Sequence, residues 1–170
     1  MKDKKKRQIA LHLPYRPCVG IMLINREGLV WIGRRCNAGR YSNENWQMPQ
    51  GGIDDGETAA AAAHRELIEE TGTEKAEIIA ESQRWHQYDL PAELVGTALK
   101  GKYRGQKQKW FAMRFIGADG DINIDTAPYG HCPEFDAWRW AHTDEILKLI
   151  IPFKRRIYED IFHEFRSLTK

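Results

Sequence analysis

The sequence lacks any apolar run near the roughly 20 residues that a bilayer-spanning helix needs. Its opening, "MKDKKKRQIALHLPYRP", has basic residues but no long apolar stretch behind them. Neither a membrane anchor nor a secretory leader is expected, which points to a soluble protein of the cytoplasm with no membrane partner. Cysteine is scarce: Cys18, Cys36 and Cys132 are far apart, odd in number and never in C-x-x-C spacing. A disulfide framework and a structural zinc site are thereby disfavoured, in keeping with a reducing compartment. The six histidines are scattered and form no ligand pattern. There is no internal repeat, no low-complexity linker and no interior break in composition. Net charge is also small, at +2, but it is unevenly placed. Residues 1–7 carry +4, so the remainder carries −2. The expected organisation is a flexible basic tail over 1–10 and one domain over 11–170. Such a tail either adds attraction to a phosphate backbone or is a solvated end.

What the chain does contain is enough for one proper core, with 170 residues of which 42% are hydrophobic. "PCVGIMLI" and "LVWIGRR" are β-branched apolar runs joined by "NREG", a hairpin pattern with its glycine in the turn. "CNAGRYSNEN" is a polar loop, and "WQMPQGG" is extended before two glycines punctuate it. "DDGE" supplies a helix-entry signal through Asp54 or Asp55, and the composition from about 58 to 71 is strongly helical, with Gly72 at the stop position. "KAEIIAESQRW", "QKWFAMRFIG", "DINI" and "FDAWRWAH" read as strands. The C-terminal stretch reads as helical, with Pro152 opening a second segment and Ile157, Ile161, Phe162, Phe165 and Leu168 at helical spacing as core. Strands enclosed by a middle and a terminal helix give an α/β sandwich.

One short piece, "HRELIEETG", concentrates negative charge. At about 100° per residue, Glu69 lies about 60° to one side of Glu66 and Glu70 about 40° to the other, so all three share a helix face. Like charges at this spacing cost a few tenths of a kcal/mol per pair. The helix is either an exposed acidic one, partly neutralised by Arg65, or it collects a cation. Carboxylate oxygens are hard ligands suited to magnesium or manganese, which usually bind phosphates together with one or two carboxylates. Directly upstream, "GGIDDGE" provides glycines that let backbone amides approach a phosphate.

The whole of "GGIDDGETAAAAAHRELIEETGT" resembles the Nudix box, G-x5-E-x7-R-E-U-x-E-E-x-G-U, where U is a bulky aliphatic residue. Gly51, Glu57, Arg65, Glu66, Leu67, Glu69, Glu70 and Gly72 fall at matching positions, and Gly52 lies beside the first. Only Thr73 departs, standing where the box has an aliphatic residue; a packing adjustment is expected there. The resemblance implies the Nudix fold, an α/β/α sandwich around a mixed β-sheet with a loop-helix-loop catalytic motif. It also implies hydrolysis of a nucleoside diphosphate linked to another group, with Glu66, Glu69 and Glu70 holding Mg2+ or Mn2+ and Glu57 paired with Arg65.

Outside the box, "YRPCVG", "WQMPQGGI", "GQKQKWF", "PEFDAWRW" and "FKRRIY" resemble the bacterial RNA pyrophosphohydrolase and dinucleoside polyphosphate hydrolase branch of that family. The resemblance covers about 15 to 158. It implies that Glu134 assists at the metal site as a ligand or general base, and that Arg16, Arg35, Gln50, Tyr88, Lys107, Lys109 and Phe153 meet substrate. Physically, Lys107 and Lys109 would share one strand face and could meet successive phosphates. Arg35 and Phe153 offer planar surfaces for a base. His86 reads as a packing or surface residue. The expected activity is divalent-metal-dependent removal of pyrophosphate from a 5′-triphosphorylated RNA end, leaving a 5′-monophosphate and promoting mRNA decay. Hydrolysis of diadenosine or other dinucleoside polyphosphates is the rival, and a non-catalytic nucleotide-binding module is the alternative of another class. A monomer is favoured, and a protein activator is left open.

Overall fold

Two long strands carry the architecture, because their side chains are apolar on both faces. In the computed structural model, which describes residues 8–36, 45–125 and 133–170, β1 (Tyr15–Ile24) runs parallel to β7 (Gly105–Phe115). Their register extends from Tyr15 opposite Gly105 to Ile24 opposite Arg114. The sequence between them is long enough for the crossover that a parallel pair requires. On its other side β1 meets β2 (Val30–Arg35) through the expected hairpin. Asn25 closes that turn, its side-chain oxygen accepting from the amides of Glu27 (3.1 Å) and Leu29 (2.9 Å), and Gly28 supplies φ +79°. β2 continues the sheet to β3 (Trp46–Gln47) and β8 (Phe135–Ala141), while β4 (Gln50–Gly52) pairs with β1. β7 also holds β5 (Ala76–Glu81) and β6 (His86–Asp89), both antiparallel.

Strand alternation sends the two sets of side chains into separate cores. Val19, Ile21, Leu23, Phe111 and Met113 pack with Ala62, Ala63 and Leu67 of α1 (Ala59–Thr71). Met22, Ile24, Trp110 and Ala112 pack instead with α2 (Thr143–Leu149) and α3 (Arg155–Glu164), through Ile146, Ile157, Tyr158 and Ile161. The result is the anticipated α/β/α sandwich around a mixed sheet. Gly20 is required by it: a Cβ there would collide with the Trp110 ring. Among the described residues no helix is long and apolar enough to cross a membrane.

Two local expectations need correction. "DINI" is not a strand: its backbone is committed elsewhere, with Asn123 N–H donating to Thr71 O (2.8 Å) and Ile122 N–H to Asp119 O (3.1 Å). The segment docks against the end of α1 and buries Ile122 in the core on that face. Helix entry is made by Thr58 rather than Asp54 or Asp55, its hydroxyl accepting from Ala61 N–H at 3.1 Å. Asp54 and Gly56 instead form a turn, with Glu57 N–H donating to Asp54 O (3.0 Å) and Gly56 at φ +77°. Of the stretch expected as a basic tail, residues 8–10 are helical, and 1–7 lie outside the described residues, as does Cys132.

Candidate active site

The helix α1 is anchored at both ends, which fixes the direction of its glutamates. Thr58 caps its start, while Gly72 (φ 70°) ends it with an N–H donated to Ile68 O at 2.9 Å. At Gly72 a Cβ would run into the Asn123 carbonyl, so the box glycine serves close approach as well as conformation. Thr73, the one departure from the box, is buried and accepts the Lys75 N–H at 3.1 Å. The hydroxyl thus satisfies a local donor.

Within this frame the glutamates divide. Glu66 and Glu70 are each only 9% exposed, whereas the Glu69 side chain is 39% exposed. Arg65 knits the motif together: it donates to Glu57 Oε1 (2.8 Å) and Oε2 (2.9 Å), to the Gly52 carbonyl (2.7 Å), and to Glu66 Oε1 (2.8 Å) and Glu69 Oε2 (3.3 Å). The expected Glu57–Arg65 pair is therefore present. The guanidinium, helped by the Asp54 N–H, draws the Glu57 carboxyl down to about 2. The glycines before the helix are there for space. A Cβ on Gly51 would occupy the Glu66 carboxylate, and one on Gly52 would meet the Arg16 guanidinium.

Burial works the other way on the inner acids. It raises the Glu66 carboxyl against the pull of Arg65. Glu70 is pushed well above the ordinary carboxylate range by burial, then by Glu134 and Glu66 nearby. One oxygen of Glu70 accepts the Gln50 N–H at 3.1 Å. Glu134, brought in just ahead of β8, is bound to Arg35 at 2.8 Å. Glu70 thus feels the charge of both Glu66 and Glu134, with Arg35 bound to Glu134 and Arg16 beside Gly52. No group of three or more acidic, histidine or cysteine side chains among the described residues is close enough to be a finished metal cage. The donor chemistry nonetheless fits a hard dication: buried carboxylates that repel one another are relieved by positive charge.

Of the other sequence candidates, Tyr88 and Phe153 lie together, ring centroids 5.6 Å apart. Arg16 also lines a cavity of about 380 Å3 with Ile53, Asp54, Asp55, Lys100 and Lys102. Gln50 reaches the site through its backbone, and its side-chain oxygen is 3.5 Å from Gln108 Nε2. Lys107 and Lys109 share a strand face as expected, but they are engaged away from the glutamates. Lys107 Nζ lies 5.4 Å from the Trp85 ring centroid, and Lys109 binds the Ser82 carbonyl and Glu81. Gln108, between them, is the residue β7 turns toward Gln50, and it also donates to Gln106. His86 is a packing residue, 5% exposed.

Sequence reasoning missed Lys154. It is 5% exposed, donates to Gln47 Oε1 at 3.1 Å, and is lowered to about 7 by burial and Arg35, while Glu70 and Glu134 oppose that shift. A lysine directly before the terminal helix, inside "FKRRIY", was its only signal. Sequence reasoning also gave no role to Tyr158, whose hydroxyl accepts the Met48 N–H at 2.9 Å and so holds the segment that carries Gln50.

A family model for the NUDIX domain matches residues 14–161, nearly the whole chain. The chain belongs to the NUDIX domain family. Among curated relatives, this NUDIX domain is 54% identical to an RNA pyrophosphohydrolase of Agrobacterium fabrum over 161 residues, covering 92% of this chain and 95% of that protein. It is 52% identical to an RNA pyrophosphohydrolase of Rhizobium meliloti over 162 residues, covering 93% and 97%. Similar solved structures include the E. coli dihydroneopterin triphosphate pyrophosphohydrolase, with a TM-score of 0.62 at 20% identity, covering 86% of this chain and 96% of that one. A C. elegans Ap4A hydrolase complex gives a TM-score of 0.62 at 16% identity, covering 89% and 98%. At those identities the two structures establish the shared fold.

Proposed function

We propose that this chain is an RNA pyrophosphohydrolase: it hydrolyses the triphosphate at an RNA 5′ end, releasing pyrophosphate and leaving a 5′-monophosphate. The observation that carries the reading is the buried Glu66–Glu70 pair, faced by Glu134, Arg16 and Arg35 in a chain that matches RNA pyrophosphohydrolases almost end to end. The same reading places its work in the cytoplasm, where a 5′-monophosphate end would hasten decay of the transcript. It is read as a monomer, open to tuning by a partner protein.

A divalent cation, Mg2+ or Mn2+, would be held by Glu66 and Glu70 with Glu69 and Glu134, and would supply charge neutralisation of the polyphosphate and acidification of the attacking water. The chain's own groups do the rest. Arg65 keeps Glu66 and Glu69 oriented, and its grip on Glu57 and Gly52 holds the loop in shape. The Gln50 amide fixes one oxygen of the buried Glu70 carboxylate. Arg35, bound to Glu134 in this state, is positioned to exchange that partner for a phosphate or to stack on a base. Arg16 offers a second cation beside Gly52. Glu134, whose charge reaches Glu70, would take the proton from water.

The test is a comparison of kcat/KM for triphosphorylated RNA and for diadenosine pentaphosphate at matched magnesium, with products identified. The expected products are pyrophosphate and monophosphorylated RNA, with RNA the better substrate. Much faster turnover of the dinucleotide would assign the dinucleoside polyphosphate activity instead. No metal-dependent product from either would leave a binding module.

A further inference from the structure

One exposed aromatic has no place in the chemistry above. Trp85 is 39% exposed, just ahead of the edge strand β6. Cations surround it: Lys107 Nζ is 5.4 Å from the ring centroid, and Arg84 and Arg156 line the same cavity of about 360 Å3. That cavity is continuous with the candidate base site, because Tyr88 and Phe153 also line it. Acidic groups sit at its margin, where Asp160 holds Arg84 at 3.2 Å, an exposed pair easily exchanged for a phosphate. Lys107 is not idle in this arrangement; it lies over the Trp85 ring beside that cavity.

We propose that Trp85, with Lys107, Arg84 and Arg156, forms a subsite for single-stranded RNA downstream of the 5′ end. This rests on the RNA reading given above. Planar aromatic surface interleaved with cations is the chemistry that binds unpaired nucleotides without reading their sequence, through base stacking and phosphate attraction. A chain whose first bases meet Phe153 and Tyr88 then runs onto Trp85. A dinucleoside polyphosphate ends before reaching it. The subsite therefore separates a polymer from a dinucleotide although both present the same polyphosphate.

The experiment compares wild type with Trp85→Ala, Trp85→Phe and Lys107→Gln on a triphosphorylated RNA octamer, a triphosphorylated RNA dinucleotide and diadenosine pentaphosphate. Trp85→Ala is expected to lower kcat/KM on the octamer by about 5- to 100-fold, the range one lost base stack gives, through KM. The two short substrates should be unaffected, and Trp85→Phe should recover most of the octamer activity. Lys107→Gln should lower the slope of log(kcat/KM) against log[salt] for the octamer by about one. Equal losses on all three substrates, or no loss on the octamer, would overturn the subsite. Binding of a monophosphorylated octamer, followed by anisotropy, separates this failure from that of the RNA reading. A wild type that cleaves only the dinucleoside polyphosphate yet binds the octamer through Trp85 would sink the activity and retain the subsite; octamer affinity unchanged in Trp85→Ala would sink the subsite.

Discussion

Replacing Tyr158 by Phe isolates one hydrogen bond on which the site depends. The ring is 1% exposed and packs edge-on against Trp110 (5.6 Å) and Phe162 (5.9 Å), contacts that Phe retains. Only the hydroxyl is lost, and with it the acceptor for Met48 N–H at 2.9 Å. Met48 is fully buried, so water cannot take over the role. An orphaned buried amide costs about 1–3 kcal/mol, and in a chain of this size each kcal/mol lowers Tm by about 2–4 °C. The expected fall is therefore about 2–12 °C, with an unchanged denaturant m-value. The second consequence is catalytic. Met48 lies two residues before Gln50, whose amide holds Glu70 at 3.1 Å. A displacement of even a fraction of an ångström there should reduce kcat on triphosphorylated RNA by about 3- to 30-fold, given that 1 Å misplacements cost about 100-fold. Thermal and urea unfolding, run beside kinetics at saturating magnesium, measure both effects. A variant as stable as wild type and equally active would refute the claim that this hydroxyl secures the Gln50–Glu70 contact.

The same reasoning extends to three further variants. Glu70→Gln should abolish turnover without unfolding the metal-free protein and should make it more stable than wild type at neutral pH. The sign follows from the raised Glu70 carboxyl: its ionised form is disfavoured by folding, so wild type loses stability as pH rises from the ordinary carboxylate value toward the folded one. The advantage of the variant should vanish on acidification below about pH 4, and a constant difference in unfolding free energy across pH would contradict this. Gly51→Ala places a methyl group on the Glu66 carboxylate; activity should fall at least 100-fold, and turnover within tenfold of wild type would refute the close approach. Arg65→Lys should lower both Tm and kcat, since an ammonium cannot span Glu57, Gly52 and Glu66 together; a loss confined to kcat would show that the loop keeps its shape without the fork.

The sequence made the fold and the catalytic helix readable because both follow from local rules. Apolar alternation in β1 and β7, the "NREG" turn and the run ending at Gly72 each determine their own structure, and the spacing of Arg65, Glu66, Glu69 and Glu70 carries its geometry on a helix. It could not show which face of β7 meets the site. Lys107 and Lys109 have the charge expected of phosphate ligands, while strand alternation turns Gln108 toward Gln50. Lys154 and Tyr158 were hidden for another reason. Their partners, Gln47 and Met48, are more than 100 residues away in sequence, and no local pattern marks a pairing that only the packed sheet creates. "DINI" failed similarly: its strand-like composition was overridden by bonds to the end of α1.

The most direct measurement is pyrophosphate release from triphosphorylated RNA as free manganese is titrated, for wild type, Glu66→Gln and Glu70→Gln, alongside spectroscopic detection of bound ion. Saturable, metal-dependent release by wild type, lost in both variants together with ion binding, is the result predicted here. Undiminished release by either variant would contradict the assignment of the acidic helix face as the centre of the reaction.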